Sequence, residues 1–139
     1  MPGAYYSLTL TTIERKPLLA NEKVAAVIFD AFDWLETNKW CRWVCLVVMP
    51  DHIHAVIQLG EDQPLSRLIQ TFKSFTARRI NTHLERSGSL WQAAYHDHGI
   101  RRDESLNAII RYCYENPVRS GLVKTAKDYT YWRSKFKME

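Results

Sequence analysis

Apolar and polar positions along the chain repeat with two alternating periods. Residues 5–13, YYSLTLTTI, are rich in Thr, Tyr and Leu and read as a first strand. Over 21–38, Val24, Val27, Ile28, Phe32 and Leu35 recur at helical spacing, and Asn21 or an adjacent residue is placed to cap the start. Residues 39–50, KWCRWVCLVVMP, and 52–59, HIHAVIQL, read as two strands separated by Pro50-Asp51. So short a connection makes them antiparallel neighbours. The clearest helix covers 64–84, with Pro64 at its opening and Leu65, Leu68, Ile69, Phe72, Phe75 and Ile80 as its buried stripe. Residues 89–100 read as an irregular strand, and 102–117 as a second amphipathic helix that Pro117 ends.

The order is strand, helix, strand, strand, helix, strand, then an extra helix. This is the βαββαβ pattern of a ferredoxin-like, RRM-like α+β sandwich: an antiparallel sheet with helices on one face. With 139 residues, no linker and no repeat, the expectation is one domain over 1–139.

Composition narrows the class rather than the function. At 46% hydrophobic and 24% charged residues, the chain is globular in composition. A charge of +4 and seventeen aromatics suit a polyanion held by stacking and phosphate neutralisation. Cys41, Cys45 and Cys113 are odd in number and lack CxxC spacing, which points away from a disulfide framework and toward a reducing compartment. The start, MPGAYYSLTLTT, lacks the pattern of a signal peptide, and no apolar run reaches the ~20 residues of a membrane span. A cytoplasmic protein without membrane contact is expected.

Candidate chemistry begins at 52–54. Alternate side chains of a strand share a face, so His52 and His54 point together while Ile53 and Ala55 point the other way. Two such imidazoles are either separately satisfied or half of a divalent-metal site with open coordination positions. On the last helix, turning Leu106, Ile109, Ile110 and Cys113 inward leaves Tyr112 at the edge of the stripe, with Asn116 one turn later. A phenol and an amide there either supply a nucleophile and a third ligand beside the histidines or, for Tyr112, form an ordinary half-buried aromatic at a helix–sheet seam. Tyr114 lies farther from the stripe. Arg67, Lys73, Arg78 and Arg79 give the 64–84 helix a basic side suited to a phosphate backbone, and Arg101, Arg102 and Arg119 add charge near the presumed site.

Four blocks, VVMPDHIHAVIQL, LSRLIQTFKSFTARRIN, LWQAAYHDHGIRRDESLNAIIRYCYENPVRSGLV and DYTYW, occur in an order that resembles the REP-associated tyrosine transposases. These are single-tyrosine members of the HUH (histidine–hydrophobic–histidine) endonuclease superfamily. The resemblance spans residues 5 to 132. It implies metal-dependent cleavage and rejoining of single-stranded DNA through a 5′-phosphotyrosine, which is the chemistry of DNA transposition. Tyr112 would be the nucleophile, and His52, His54 and Asn116 would hold Mg2+ or Mn2+, the latter better matched to imidazole. The implied partners are single-stranded DNA hairpins of REP-like palindromes, bound by a monomer or a homodimer that associates with the nucleoid when on DNA. Many relatives read Tyr-Ile-His-x-Asn-Pro where this chain has Tyr112-Cys113-Tyr114-Glu115-Asn116-Pro117. His96 and His98 fall in a matching block without an assigned role. Two other classes use the same residues differently: a non-catalytic RRM-like nucleic-acid binder, and a small hydrolase whose histidine-bound metal activates water.

Overall fold

In the computed structural model, which describes residues 2–136 and 138, β1 (Tyr5–Thr11), α1 (Glu22–Thr37), β2 (Cys41–Val48), β3 (His52–Leu59), α2 (Leu65–His83) and β4 (His96–Ile100) follow one another. Then come α3 (Leu106–Tyr114), the short α4 (Asn116–Arg119) and β5 (Trp132–Ser134). The strands form one sheet in the order β4-β1-β3-β2-β5, and every pairing is antiparallel. The first four strands give the ferredoxin-like arrangement, and β5 extends it at the β2 edge. Among the described residues no helix is long and apolar enough to cross a membrane.

Each boundary has a local cause. The Asn21 side chain accepts a hydrogen bond from the Val24 amide at 2.9 Å and caps α1. Residues 49–51 turn the chain between β2 and β3, where the Met49 amide donates to the His52 carbonyl at 2.8 Å. At the far end of that hairpin, a Cβ on Gly60 would sit 2.3 Å from the Lys39 carbonyl oxygen, so only glycine fits the close approach.

The principal core lies between one sheet face and α1 with α2. Leu8, Leu10, Ile53, Ala55 and Ile57 meet Ile28, Phe32, Leu68, Phe72 and Ile80 there. Full burial of each large side chain contributes about 1.5–3 kcal/mol. Two expected stripe members of α2, Leu65 and Phe75, are only half-buried, while Thr76 is fully enclosed. Its hydroxyl donates to the Phe72 carbonyl at 2.8 Å and accepts from the Trp91 indole N–H at 3.0 Å. Trp43 and Trp91 are core residues, each 6% exposed.

The sheet carries a second, smaller core on its opposite face. Val44, Cys45, Val47, Met49 and Val56 pack there against Ile110 and Cys113 of α3. Helices therefore cover both faces, α1 and α2 on one and the extra C-terminal helix α3 on the other, as the sandwich with an extra helix requires. A bulge in β2 re-aims its side chains. The register with β3 shifts between Trp43 and Cys45. Cys41 and Trp43 face α1 and α2, and beyond the extra residue Leu46 and Val48 take over that side. Two further expectations change. The fourth strand is five residues rather than twelve, and the segment before it meets the sheet through the isolated bridge of Trp91 to Thr12 and hydrogen bonds from the Ile13 amide to the Leu90 carbonyl and the Gln92 amide to the Thr11 carbonyl. The second amphipathic helix starts four residues late, at Leu106 beyond its Ser105 cap. The closing aromatic segment supplies β5.

Candidate active site

His52 and His54 project from β3 onto the α3 side of the sheet, away from the principal core. Their rings are edge-on, with centroids 4.8 Å apart. Each ring has its Nδ1 engaged, which leaves Nε2 as the outward nitrogen. His52 Nδ1 lies 2.7 Å from Asp51 Oδ1, and Asp51 Oδ2 lies 3.1 Å from Arg15 Nε. His54 Nδ1 lies 2.9 Å from Thr9 Oγ1, its register partner on β1. A carboxylate on Nδ1–H fixes the tautomer and raises the basicity of the opposite nitrogen. Burial alone would raise the Asp51 carboxyl, but the hydrogen bond and charge of His52, with the charge of Arg15, outweigh it and hold the group below its usual value. Burial, aided by the charges of His52 and Arg119, pushes His54 down to about 4. His54 is consequently a neutral imidazole at pH 7, the form that donates a lone pair.

The third element arrives from α3 and α4. Proline cannot continue a helix but suits a helix start. Pro117 therefore separates α3, ending at Tyr114, from α4, which opens at Asn116. The resulting step swings Asn116 under the sheet, where it is 8% exposed. Its Nδ2 lies 3.4 Å from His52 Nε2, joining residues 64 positions apart, while Oδ1 accepts from the Ser120 hydroxyl at 3.4 Å. A half-turn of the amide exchanges Nδ2 for Oδ1 in front of His52. Among the described residues no group of three or more His, Cys, Asp or Glu that could hold a metal ion is gathered.

Tyr112 stands one helical turn before Asn116 and is 61% exposed. The Arg119 guanidinium lies 3.7 Å over its ring and donates to the Tyr112 carbonyl at 2.7 Å. Because the same guanidinium acts electrostatically on His54, phenol, cation and imidazole belong to one neighbourhood. Tyr114 is the more buried of the two phenols, with its ring 5.1 Å from Trp132 of β5. The ranking by distance from the apolar stripe is thus reversed, because β5 widens the core on that side.

The other basic residues separate into distinct places. Arg67 and Arg78 are exposed on α2, across the sheet from the histidines. Lys73 turns inward, donating to the Gln92 and Ala93 carbonyls at 2.8 and 3.2 Å with its ammonium 5.4 Å from the centre of the Tyr95 ring. Arg79 lies over Phe75. Arg101 pairs with Asp103 and Glu104, and Arg102 is exposed beside it. His98 bonds the Glu104 carboxylate at 2.9 Å, and His96 is exposed opposite Thr9. Asp51, Thr9 and Arg15 escaped the sequence reading. An aspartate directly before the histidine pair was a visible signal, whereas Thr9 enters only through strand register.

Residues 1–116 match the family model described as Transposase IS200 like. A REP-associated tyrosine transposase of Escherichia coli K12 is 32% identical over 98 residues, covering 69% of this chain and 52% of that protein. A Haemophilus influenzae relative is 34% identical over 98 residues, covering 63% of this chain and 56% of its own length. The chain thus spans about half the length of the curated relatives it matches. The solved structure of a REP-associated tyrosine transposase bound to a REP hairpin shares the fold, with a TM-score of 0.78 at 22% identity over 95% of this chain and 77% of that one. With this fold, and with the family model matched over most of its length, the chain belongs to the IS200-like transposase family.

Proposed function

We propose that the chain cleaves and rejoins single-stranded DNA at hairpin-forming repeats, with Tyr112 as nucleophile and a divalent ion, Mg2+ or Mn2+, held by His52, His54 and Asn116. One observation carries this reading: His52 Nε2 and the Asn116 amide meet at 3.4 Å, one helical turn from an exposed tyrosine. The donor set fits the ion, because two imidazoles have their Nδ1 atoms occupied and a buried amide faces them. When bound, the ion neutralises charge on the scissile phosphate and polarises the phosphorus.

The protein's own residues supply the rest. Tyr112 Oη attacks the phosphorus, the Oη–P bond forms and the P–O3′ bond breaks. The phenolic proton passes to solvent, and the departing O3′ takes one up from solvent as a 3′-hydroxyl. A tyrosine hydroxyl with a pKa near 10 is a weak nucleophile at neutral pH, so positioning carries much of the work. Arg119 supplies positioning by holding the ring face and the Tyr112 carbonyl together. The phosphotyrosine ester retains the energy of the broken bond, so another 3′-hydroxyl reverses the step and joins strands without ATP. The solved relative bound to a REP hairpin supports a hairpin substrate.

The test incubates the protein with end-labelled single-stranded hairpins and Mn2+, then denatures it. Label retained on the protein, lost in Tyr112→Phe and in His52→Ala, is expected. Hairpin binding without retained label under any metal condition would replace this reading with that of a non-catalytic binder.

A further inference from the structure

A groove of about 530 Å3 opens where α3 and α4 meet the 3-10 turn Ala126–Asp128. Arg111, Arg119, Lys124 and Lys127 line it against a single carboxylate, Glu115. Several other surface cations are neutralised within the fold: Arg15 by Asp51, Arg133 by Asp33, and Lys135 by Glu36. Among the described residues, no ion pair engages Lys124 or Lys127. The groove is also continuous with the site, because Arg119 both lines it and stacks on the Tyr112 ring.

We infer that this groove, rather than the outer face of α2, binds the sugar–phosphate backbone of a single DNA strand, and that the strand is the one left joined to Tyr112. The strand assignment rests on the nucleophile proposed above. In-line attack expels O3′ on the side of phosphorus opposite the tyrosine. The strand bearing the 5′ phosphate stays attached to Oη, and the cations of the groove that Arg119 joins to the Tyr112 ring are Arg111, Lys124 and Lys127. Held there, the cleaved strand remains beside the site until a 3′-hydroxyl returns.

Phosphate contacts reveal themselves in the salt dependence of binding, since each contact to single-stranded DNA contributes about 0.7 to the slope of log K against log salt. The probe is a short fluorescein-labelled oligothymidylate, read by anisotropy over a salt series. Lys124→Gln/Lys127→Gln should lower the slope by about 1.4, the value for two lost contacts. Arg67→Gln/Arg78→Gln on α2 should leave it unchanged. All four side chains are exposed, so both pairs should keep the wild-type circular dichroism. An unchanged slope in the groove pair, or a loss confined to the α2 pair, overturns the inference.

The two cleavage products then test the strand. The groove pair should lose affinity for an oligonucleotide bearing the 5′ phosphate, and losing affinity instead for one ending in the 3′-hydroxyl overturns the assignment. The two proposals fail separately. No adduct with a lowered slope removes the nucleophile and leaves the groove, whereas a normal adduct with an unchanged slope removes only the groove.

Discussion

Asp51→Asn is the substitution that most sharply separates a working histidine pair from two incidental histidines. The Asp51 carboxylate lies 2.7 Å from His52 Nδ1, and the two side chains are 25% and 14% exposed. Asparagine keeps the shape and still offers an oxygen to Nδ1–H, so the tautomer survives while the negative charge is lost. A hydrogen bond to a charged group contributes about 1.5–3 kcal/mol and a neutral one about 0.5–1.5, so the loss is about 1–1.5 kcal/mol. That corresponds to roughly tenfold, the lower end of the 10–100-fold range for residues that orient a metal-binding imidazole. The assay is Mn2+ titration, by calorimetry and by the metal concentration giving half-maximal adduct. Both should shift weaker by about tenfold in Asp51→Asn and by more in Asp51→Ala. Arg15→Ala is the control, because its bridge to Asp51 is 62% exposed on the arginine side and such pairs contribute at most about 1 kcal/mol. Equal Mn2+ affinity in wild type and Asp51→Asn, or an Arg15→Ala effect as large, would refute the reasoning.

Other consequences follow from the same structure. His54 stands at about 4 in the fold against 6.5 ordinarily, so the unfolded chain takes up the proton first as pH falls. Stability is full above about 6.5 and drops by roughly 3 kcal/mol on reaching pH 4. Urea unfolding in chelator should show this, and His54→Gln should flatten the profile across that window. Thr76→Val should cost about 1–3 kcal/mol by orphaning the buried Trp91 indole N–H. Adding Trp91→Phe should then cost less than the sum of the two single changes, and strict additivity in thermal unfolding would count against that bond. Asn21→Ala should lose about 1 kcal/mol, the usual cost of removing a helix cap, in a urea titration.

What could be read in the chain, and what could not, divides along physical lines. The 52–59 strand and its facing were legible because only a period-two pattern separates the histidines from Ile53 and Ala55. The Asn21 cap and the stop at Pro117 were legible because they are local chemistry. The facing of β2 was not. The run from Trp43 to Met49 is apolar throughout, so alternation vanishes and the bulge that hands Cys45 and Val47 to α3 leaves no trace in composition. The short strand β5 has too few residues to show a period, and without it the burial of Tyr114 under Trp132 is invisible. The turn residue Asp51 was read for its geometry alone, although its carboxylate orients His52. Long cationic side chains were the least legible group: Lys73 is drawn inward by two carbonyls, and the Lys124–Lys127 groove exists only once α4 folds the chain back.

The central claim is that Tyr112 becomes covalently joined to DNA, and the most direct measurement is the mass of the tyrosine-bearing peptide. Protein incubated with a single-stranded hairpin and Mn2+ would be digested with nuclease and protease and the peptides sequenced by mass spectrometry. A phosphonucleotide on Tyr112, absent from Tyr112→Phe and from reactions in chelator, is the expected result. A modified Tyr114 with an unmodified Tyr112, or an adduct that persists in Tyr112→Phe, would contradict it.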